Sequence, residues 1–185
     1  MILVRKGRAL AACALLAIFA SGAAQAATQG TLGATSTGTV TISATIPSRV
    51  QISGLSDFVF GTLDPTTDTS LSKNVCVWSN TGTKGYNITA TGNGGVSGTA
   101  FTLTNGSKTL DYGVEWAGST GQASGTALAT GTAANGFTST AAAPTCGSGP
   151  TPTASLIVRF TSAQMLAAVG TTAFTGTLTL VVAPE

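Results

Sequence analysis

The sequence GTVTISATIPSRVQISG, from Gly38 to Gly54, decides how this chain can fold. Its first apolar residues alternate with threonine and serine: Val40, Ile42, Ala44 and Ile46. Because successive side chains of a strand point to opposite faces, this period of two predicts a short strand with one apolar face. Pro47 ends the pattern, since proline has no N–H to donate to a sheet. The apolar face of this strand therefore needs a partner.

The residues before this strand have the pattern of a secretory signal peptide, which we assign to residues 1–26. Three basic residues open it, an apolar run follows, and the small-x-small triplet Ala24-Gln25-Ala26 ends it. The run is short for a membrane span, and no other apolar stretch of about 20 residues follows it. We therefore expect export to the periplasm and no membrane span in the mature chain.

The charge of the mature chain is close to neutral. Three of the eight Lys and Arg residues, and none of the six Asp and Glu residues, lie in the signal peptide. Five basic and six acidic side chains are left, which is too little positive charge to hold nucleic acid. The sequence has no histidine, the commonest general base and metal ligand. We expect no nucleic-acid partner, no metal and no cofactor.

Cys76 and Cys146 are the two cysteines that remain after the signal peptide. In an exported chain, an even pair most simply forms one disulfide. Their spacing fits neither a redox CxxC pair nor a zinc site.

The rest of the chain alternates short runs of β-forming residues with Gly, Asn, Pro and Ser. The number and spacing of these runs favour an antiparallel β-sandwich over βαβ units. The predicted strands are Thr39–Ile46, Val50–Ile52, Phe58–Phe60, Asn74–Ser79, Tyr86–Thr91, Phe101–Thr104, Leu110–Trp116, Ser155–Phe160 and Thr175–Val182. Other predicted segments are a flexible leader at 27–37, a surface excursion at Gly118–Pro152 and one or two helical turns at Ser162–Gly170.

Few side chains are placed for catalysis. Asp111 and Glu115 share one face of a predicted strand and could form a glycosidase pair, although solvated strand ends explain them better. Trp78 and Trp116 could hold a sugar, although aromatic residues more often pack in a core or at its rim. We nominate no catalytic residue and expect the protein not to be an enzyme.

The C-terminal segment FTGTLTLVVAPE places Phe174, Leu178, Leu180 and Val182 on one face, with threonines opposite. We expect a C-terminal strand with no helix or hairpin to cover it. An apolar edge strand favours pairing with another chain.

Together these motifs resemble a known family. They are the signal peptide, the short polar tail, GTVTISATI, the Cys-x-Trp strand Asn74–Trp78, the strand GYNITATG and the closing GTTAFTGTLTLVVAPE. The combination resembles the spore coat protein U domain, the fold of archaic chaperone–usher pilus subunits. GTVTISATIP is also similar to the N-termini of colonisation-factor fimbrial subunits.

The resemblance implies an incomplete immunoglobulin-like antiparallel β-sandwich at 47–185 that lacks one strand. A periplasmic chaperone fills the gap until an outer-membrane usher delivers the donor strand, residues 38–46, of the next subunit. The donor side chains would be Val40, Ile42, Ala44 and Ile46. The candidate acceptor residues are Leu178, Leu180 and Val182.

The chain departs from the family at Ser48–Gln51, where members often carry a cysteine that pairs with the one at Cys76. The resemblance then leaves Cys146 as the partner of Cys76.

The implied function is a structural pilin that forms a homo-polymeric cell-surface fibre for adhesion and biofilm, in a Gram-negative bacterium. The alternative is a self-complemented, secreted carbohydrate-binding or adhesive module, in which Thr39–Ile46 folds back into its own sandwich. A third hypothesis is a glycosidase that uses Asp111 and Glu115.

Overall fold

The structure, a computed structural model, describes residues 26–94, 101–149, 151–168 and 172–185. The predicted signal peptide thus lies outside the described residues, except for Ala26. The chain divides into two units, Met1–Thr45 and Ile46–Glu185, which are described separately below.

The second unit consists of short strands and one helix. The strands are β1 Val50–Ser53, β2 Thr69–Ser79, β3 Gly85–Gly92, β4 Phe101–Thr104, β5 Thr109–Ala117, β6 Thr126–Ala127, β7 Ala133–Thr138, β8 Ala154–Phe160 and β9 Leu178–Pro184. The helix is α1, Ser162–Ala167, which begins at a capping box between Thr161 and Gln164. The predicted helical turns at Ser162–Gly170 are therefore present, and the end of that prediction lies outside the described residues.

These strands form two antiparallel sheets. The first has the order β1-β2-β8-β5-β4, with β6 also paired to β5, and the second has the order β7-β3-β9. Every ladder between two of these strands is antiparallel, and the one parallel contact in the described chain is the isolated bridge between Ala90 and Thr130. The predicted all-β antiparallel fold class is therefore confirmed.

The core lies between the two sheets. Trp116 of β5 and Tyr86 of β3 are almost completely buried, and the Trp116 indole N–H donates to the Tyr86 hydroxyl oxygen at 3.1 Å. Burial raises the pKa of Tyr86, while the hydrogen bond from Trp116 acts in the opposite direction. A buried indole N–H with a partner avoids the cost of an unsatisfied donor, so this bond links the two sheets at their centre.

The excursion Gly118–Pro152 contributes more to the fold than the sequence predicts. It contains β6 and β7, and Phe137 of β7 stacks on Tyr86 with ring centroids 5.7 Å apart. A disulfide joins its Cys146 to Cys76 of β2, across a sequence separation of 70. The excursion is thus attached to both sheets.

Candidate functional site

Strand β9 lies at an open edge of the second sheet. Two hydrogen bonds flank its ladder with β3, from Glu185 N–H to Gly85 C=O (3.0 Å) and from Asn93 N–H to Thr177 C=O (3.1 Å). Because hydrogen-bonded pairs alternate along an antiparallel ladder, the backbone groups of Leu178, Leu180 and Val182 face away from β3. No strand in the described part of the chain pairs with that side.

The inward face of β9 is incompletely covered. The side chains of Leu178, Leu180 and Val182 pack against the core but are only partly buried, whereas Ile88 and Ala90 of the neighbouring β3 are 0% exposed. Apolar surface that the core leaves accessible at a sheet edge favours a further partner.

A cleft with a volume of about 570 Å³ lies beside this edge. Its two walls are the segments Leu55–Phe58, with Phe60, and Phe174–Leu178, with Leu180. Its floor is formed by side chains of the first sheet: Leu103, Tyr112, Leu156, Val158 and Phe160. The cleft is therefore a channel between the two sheets with an apolar floor, and its walls also contain polar residues: Ser56, Asp57, Thr175 and Thr177.

A second cleft, of about 750 Å³, shares five residues with the first: Phe58, Phe60, Leu103, Phe160 and Phe174. It extends toward Leu63 and toward Met165 of α1. The shared side chains make the two clefts neighbouring parts of one apolar depression.

The segment Phe58–Phe60 was predicted to be a strand, and this prediction is wrong. The Phe60 ring meets the Phe160 ring edge-on, with centroids 4.8 Å apart, and the Lys73 ammonium lies 5.8 Å from the Phe58 ring centroid. Side-chain packing therefore holds the segment in place, although its backbone has no strand beside it.

Two of the three predicted acceptor residues, Leu178 and Leu180, line the first cleft. Val182 does not line it and packs against the core farther along β9. The five aromatic residues of the cleft were not predicted as site residues: Phe58, Phe60, Tyr112, Phe160 and Phe174. Alternation identifies the inward face of a strand, but it does not show which inward residues border a gap.

The predicted donor segment has no ladder in the described chain. In the first unit, Thr28 and Thr39 exchange two backbone hydrogen bonds of 2.9 Å each, which close the leader into a loop. Beyond Thr39 the apolar side chains are exposed, with 74% of Val40, 89% of Ile42 and 83% of Ile46 accessible to solvent. The alternating face therefore lies in water.

Glu115, one of the two residues considered for catalysis, has a structural role. Glu115 is buried, forms a 2.7 Å salt bridge with Arg159 and accepts a hydrogen bond from Gly125 N–H. The interpretation of Glu115 as a solvated strand end is therefore wrong, because β6 and the loop before it cover this part of β5. Asp111 is partly buried on the same strand.

The two tryptophans are also accounted for by packing. Trp116 is 0% exposed, so its ring presents no face to a sugar. Trp78 is partly buried against the cluster formed by Cys76, Ala141 and Cys146. Among the described residues there is no cluster of three or more potential metal ligands, and no helix is long and apolar enough to span a membrane.

Comparisons with known proteins give one structural likeness to report. No family model matches the sequence, and no curated protein matches it. The chain is similar to one in a solved structure described as a chaperone–tip adhesin complex vital for synergistic activation of CFA/I fimbriae biogenesis. The sequence identity is 18%, the TM-score is 0.46, and the match covers 74% of this chain and 41% of that one. This chain thus spans about two fifths of the solved chain, and a likeness at this level assigns neither family nor function.

Proposed function

We propose that this protein is a structural subunit of a cell-surface fibre, in which the donor strand 38–46 of one copy fills the cleft of the next. The observation that carries the proposal is that one chain holds two complementary parts. One is an apolar cleft beside an open sheet edge, and the other is a strand whose apolar face is exposed.

The backbone of each part suits the other. Along the open edge of β9, the N–H and C=O groups of Leu178, Leu180 and Val182 have no backbone partner among the described residues. An added strand would form a ladder with these groups, as in strand addition between proteins. From Val40 to Ile46 an extended strand spans roughly 20 Å, at about 3.3 Å per residue.

Side-chain burial supplies the driving force. Val40, Ile42 and Ile46 are exposed in the subunit, so each gains from burial in the cleft. Complete burial of one such side chain stabilises by about 1.5–3 kcal/mol, which gives a joint of roughly 5–9 kcal/mol before entropy costs. A head-to-tail contact that does not close generates a filament rather than a ring.

The open cleft also implies partners during assembly. Before polymerisation, an uncovered apolar edge favours aggregation. A periplasmic chaperone would meet this need by covering the cleft. An outer-membrane usher would then replace the chaperone with the donor strand of the next subunit. The Cys76–Cys146 disulfide is compatible with such an exported route. We propose adhesion and biofilm formation as the role of the fibre.

A truncation experiment tests the proposal. A chain that lacks residues 27–46 should have a low melting temperature by itself. Adding a peptide of residues 38–46 should raise that melting temperature. A control peptide with the same composition, but with the alternation removed, should have no effect. A truncated chain that is fully stable alone, and that ignores both peptides, would refute the proposed function.

Gel electrophoresis without boiling gives a second readout. Fibres joined by donor strands should give an SDS-resistant ladder. A self-complemented module would run as a monomer.

A further inference from the structure

We propose that Asn80 clamps the segment Pro47–Arg49, through which the donor strand leaves its own sandwich, and so limits the bending of the joint between subunits. This inference rests on the proposed function. The contacts that carry it lie within the second unit of one chain.

Asn80 makes three hydrogen bonds to this segment. Its side-chain Nδ2 donates to the carbonyl oxygen of Pro47 at 3.0 Å, and its Oδ1 accepts from the N–H of Arg49 at 2.6 Å. Its own backbone N–H donates to the carbonyl oxygen of Arg49 at 3.1 Å. One residue therefore holds both ends of the three-residue segment.

The chemistry of this clamp requires a primary amide. An amide side chain carries a donor and an acceptor at its end, whereas a carboxylate only accepts and an aliphatic side chain does neither. Aspartate at this position would keep the bond from Arg49 N–H and lose the bond to Pro47. Aspartate therefore removes one of the two side-chain bonds, and alanine removes both.

The base of the clamp is well anchored. Asn80 directly follows Ser79, the last residue of β2, which is 1% exposed and whose hydroxyl donates to the carbonyl oxygen of Gly85 at 2.9 Å. Pro47 adds a restriction of its own, because its ring fixes φ. Bending between subunits would then occur before Pro47 rather than between Pro47 and β1.

Backbone dynamics of the full chain tests the clamp directly. In ¹⁵N relaxation measurements, the backbone N–H groups of Ser48 and Arg49 should have order parameters of about 0.85 in the unchanged protein and below about 0.6 in Asn80→Ala. Asn80→Asp should leave Arg49 ordered and loosen Ser48. Asn105→Ala is the matched control, because the Asn105 Oδ1 similarly accepts two backbone bonds, from Ser107 and Lys108, in the turn between β4 and β5.

Electron microscopy of fibres tests the role in the joint. The persistence length of Asn80→Ala fibres should fall at least about twofold relative to unchanged and Asn105→Ala fibres, with an unchanged melting temperature of the sandwich. Unchanged order parameters in Asn80→Ala would overturn the clamp. Loose residues with an unchanged persistence length would overturn its role in the joint.

A failure of the proposed function gives a different result. If the unchanged protein forms no fibre, the joint and this role for Asn80 are both refuted. The order parameters would still show whether Asn80 holds Pro47–Arg49.

Discussion

Replacing Ile42 by aspartate should destroy the polymer joint without destabilising the subunit. Ile42 is 89% exposed in the chain, so the free energy of unfolding of the subunit should change by less than about 0.5 kcal/mol. In the proposed joint, where Ile42 would insert into the cleft of the next subunit, the same substitution removes the burial of an isoleucine and places an unpaired carboxylate against the apolar floor of the cleft. The lost burial and the desolvation of the carboxylate together weaken the joint by at least about 4 kcal/mol, almost a thousandfold in its dissociation constant.

The matched control for this prediction is Thr41→Asp. It introduces the same charge one residue away, on the face that the alternation predicts to point out of the cleft. The measurements are chemical denaturation of the monomer and a gel of unboiled polymer. Thr41→Asp should keep the SDS-resistant ladder, and Ile42→Asp should abolish it at equal monomer stability. Ladders of equal length in the two variants would refute the reasoning, because the strand would then not insert by its apolar face.

Three further outcomes are expected. Leu180→Asp should prevent binding of the 38–46 peptide in calorimetry, because Leu180 lines the cleft. Val181→Asp, a control on the opposite face where Val181 is 56% exposed, should bind the peptide normally. Equal binding by the two variants would exclude this cleft as the acceptor. Replacing both Cys76 and Cys146 by serine should lower the free energy of unfolding in urea by about 2–4 kcal/mol, since the disulfide closes a loop across 70 residues; an unchanged midpoint would contradict this. Burial raises the pKa of Tyr86 and Tyr112, so the unfolded state loses these protons first as the pH passes about 10. The stabilisation that these two protonated tyrosines provide should be fully present below that pH. Above it, the free energy of unfolding should fall by at most about 1.4 kcal/mol per pH unit for each tyrosine. If the urea midpoint of Tyr112→Phe falls with pH as steeply as that of the unchanged protein, this prediction is contradicted.

The strands that alternate strongly could be predicted from the sequence. Predicted Thr175–Val182 corresponds to β9, Leu178–Pro184, and predicted Tyr86–Thr91 lies within β3, Gly85–Gly92. In both strands the inward apolar residues define the face. The ends shift by a few residues because the ladder, rather than the local pattern, decides where pairing stops.

Other elements depend on contacts that local patterns do not contain. The strand β7, Ala133–Thr138, has Phe137 as its one large apolar residue, so it shows no alternation. Its pairing with β3 and the stacking of Phe137 on Tyr86 make it a strand. Conversely, Phe58–Phe60 has a strand-like composition but no neighbouring strand in the described chain.

In the candidate site, too, one part could be predicted from a local pattern and the other depends on tertiary contacts. The alternation of Val40, Ile42, Ala44 and Ile46 predicted an apolar strand with no obvious place in its own domain, and their role as donor residues remains a prediction. The cleft itself is a property of tertiary structure. It depends on where the first sheet places Tyr112 and Phe160 relative to β9, which a pattern along one segment does not record.

The disulfide has a consequence for a chain that a protease has cut. Because Cys76 and Cys146 bracket most of the chain between β2 and β8, a single proteolytic cut anywhere from residue 77 to residue 145 leaves two fragments that stay covalently attached. A cleaved subunit of this kind would run as one species on a non-reducing gel and as two after reduction. A cut in the β1–β2 loop, at residues 54–68, lies outside this range and would release the N-terminal piece, so the protection is confined to the segment that the disulfide spans.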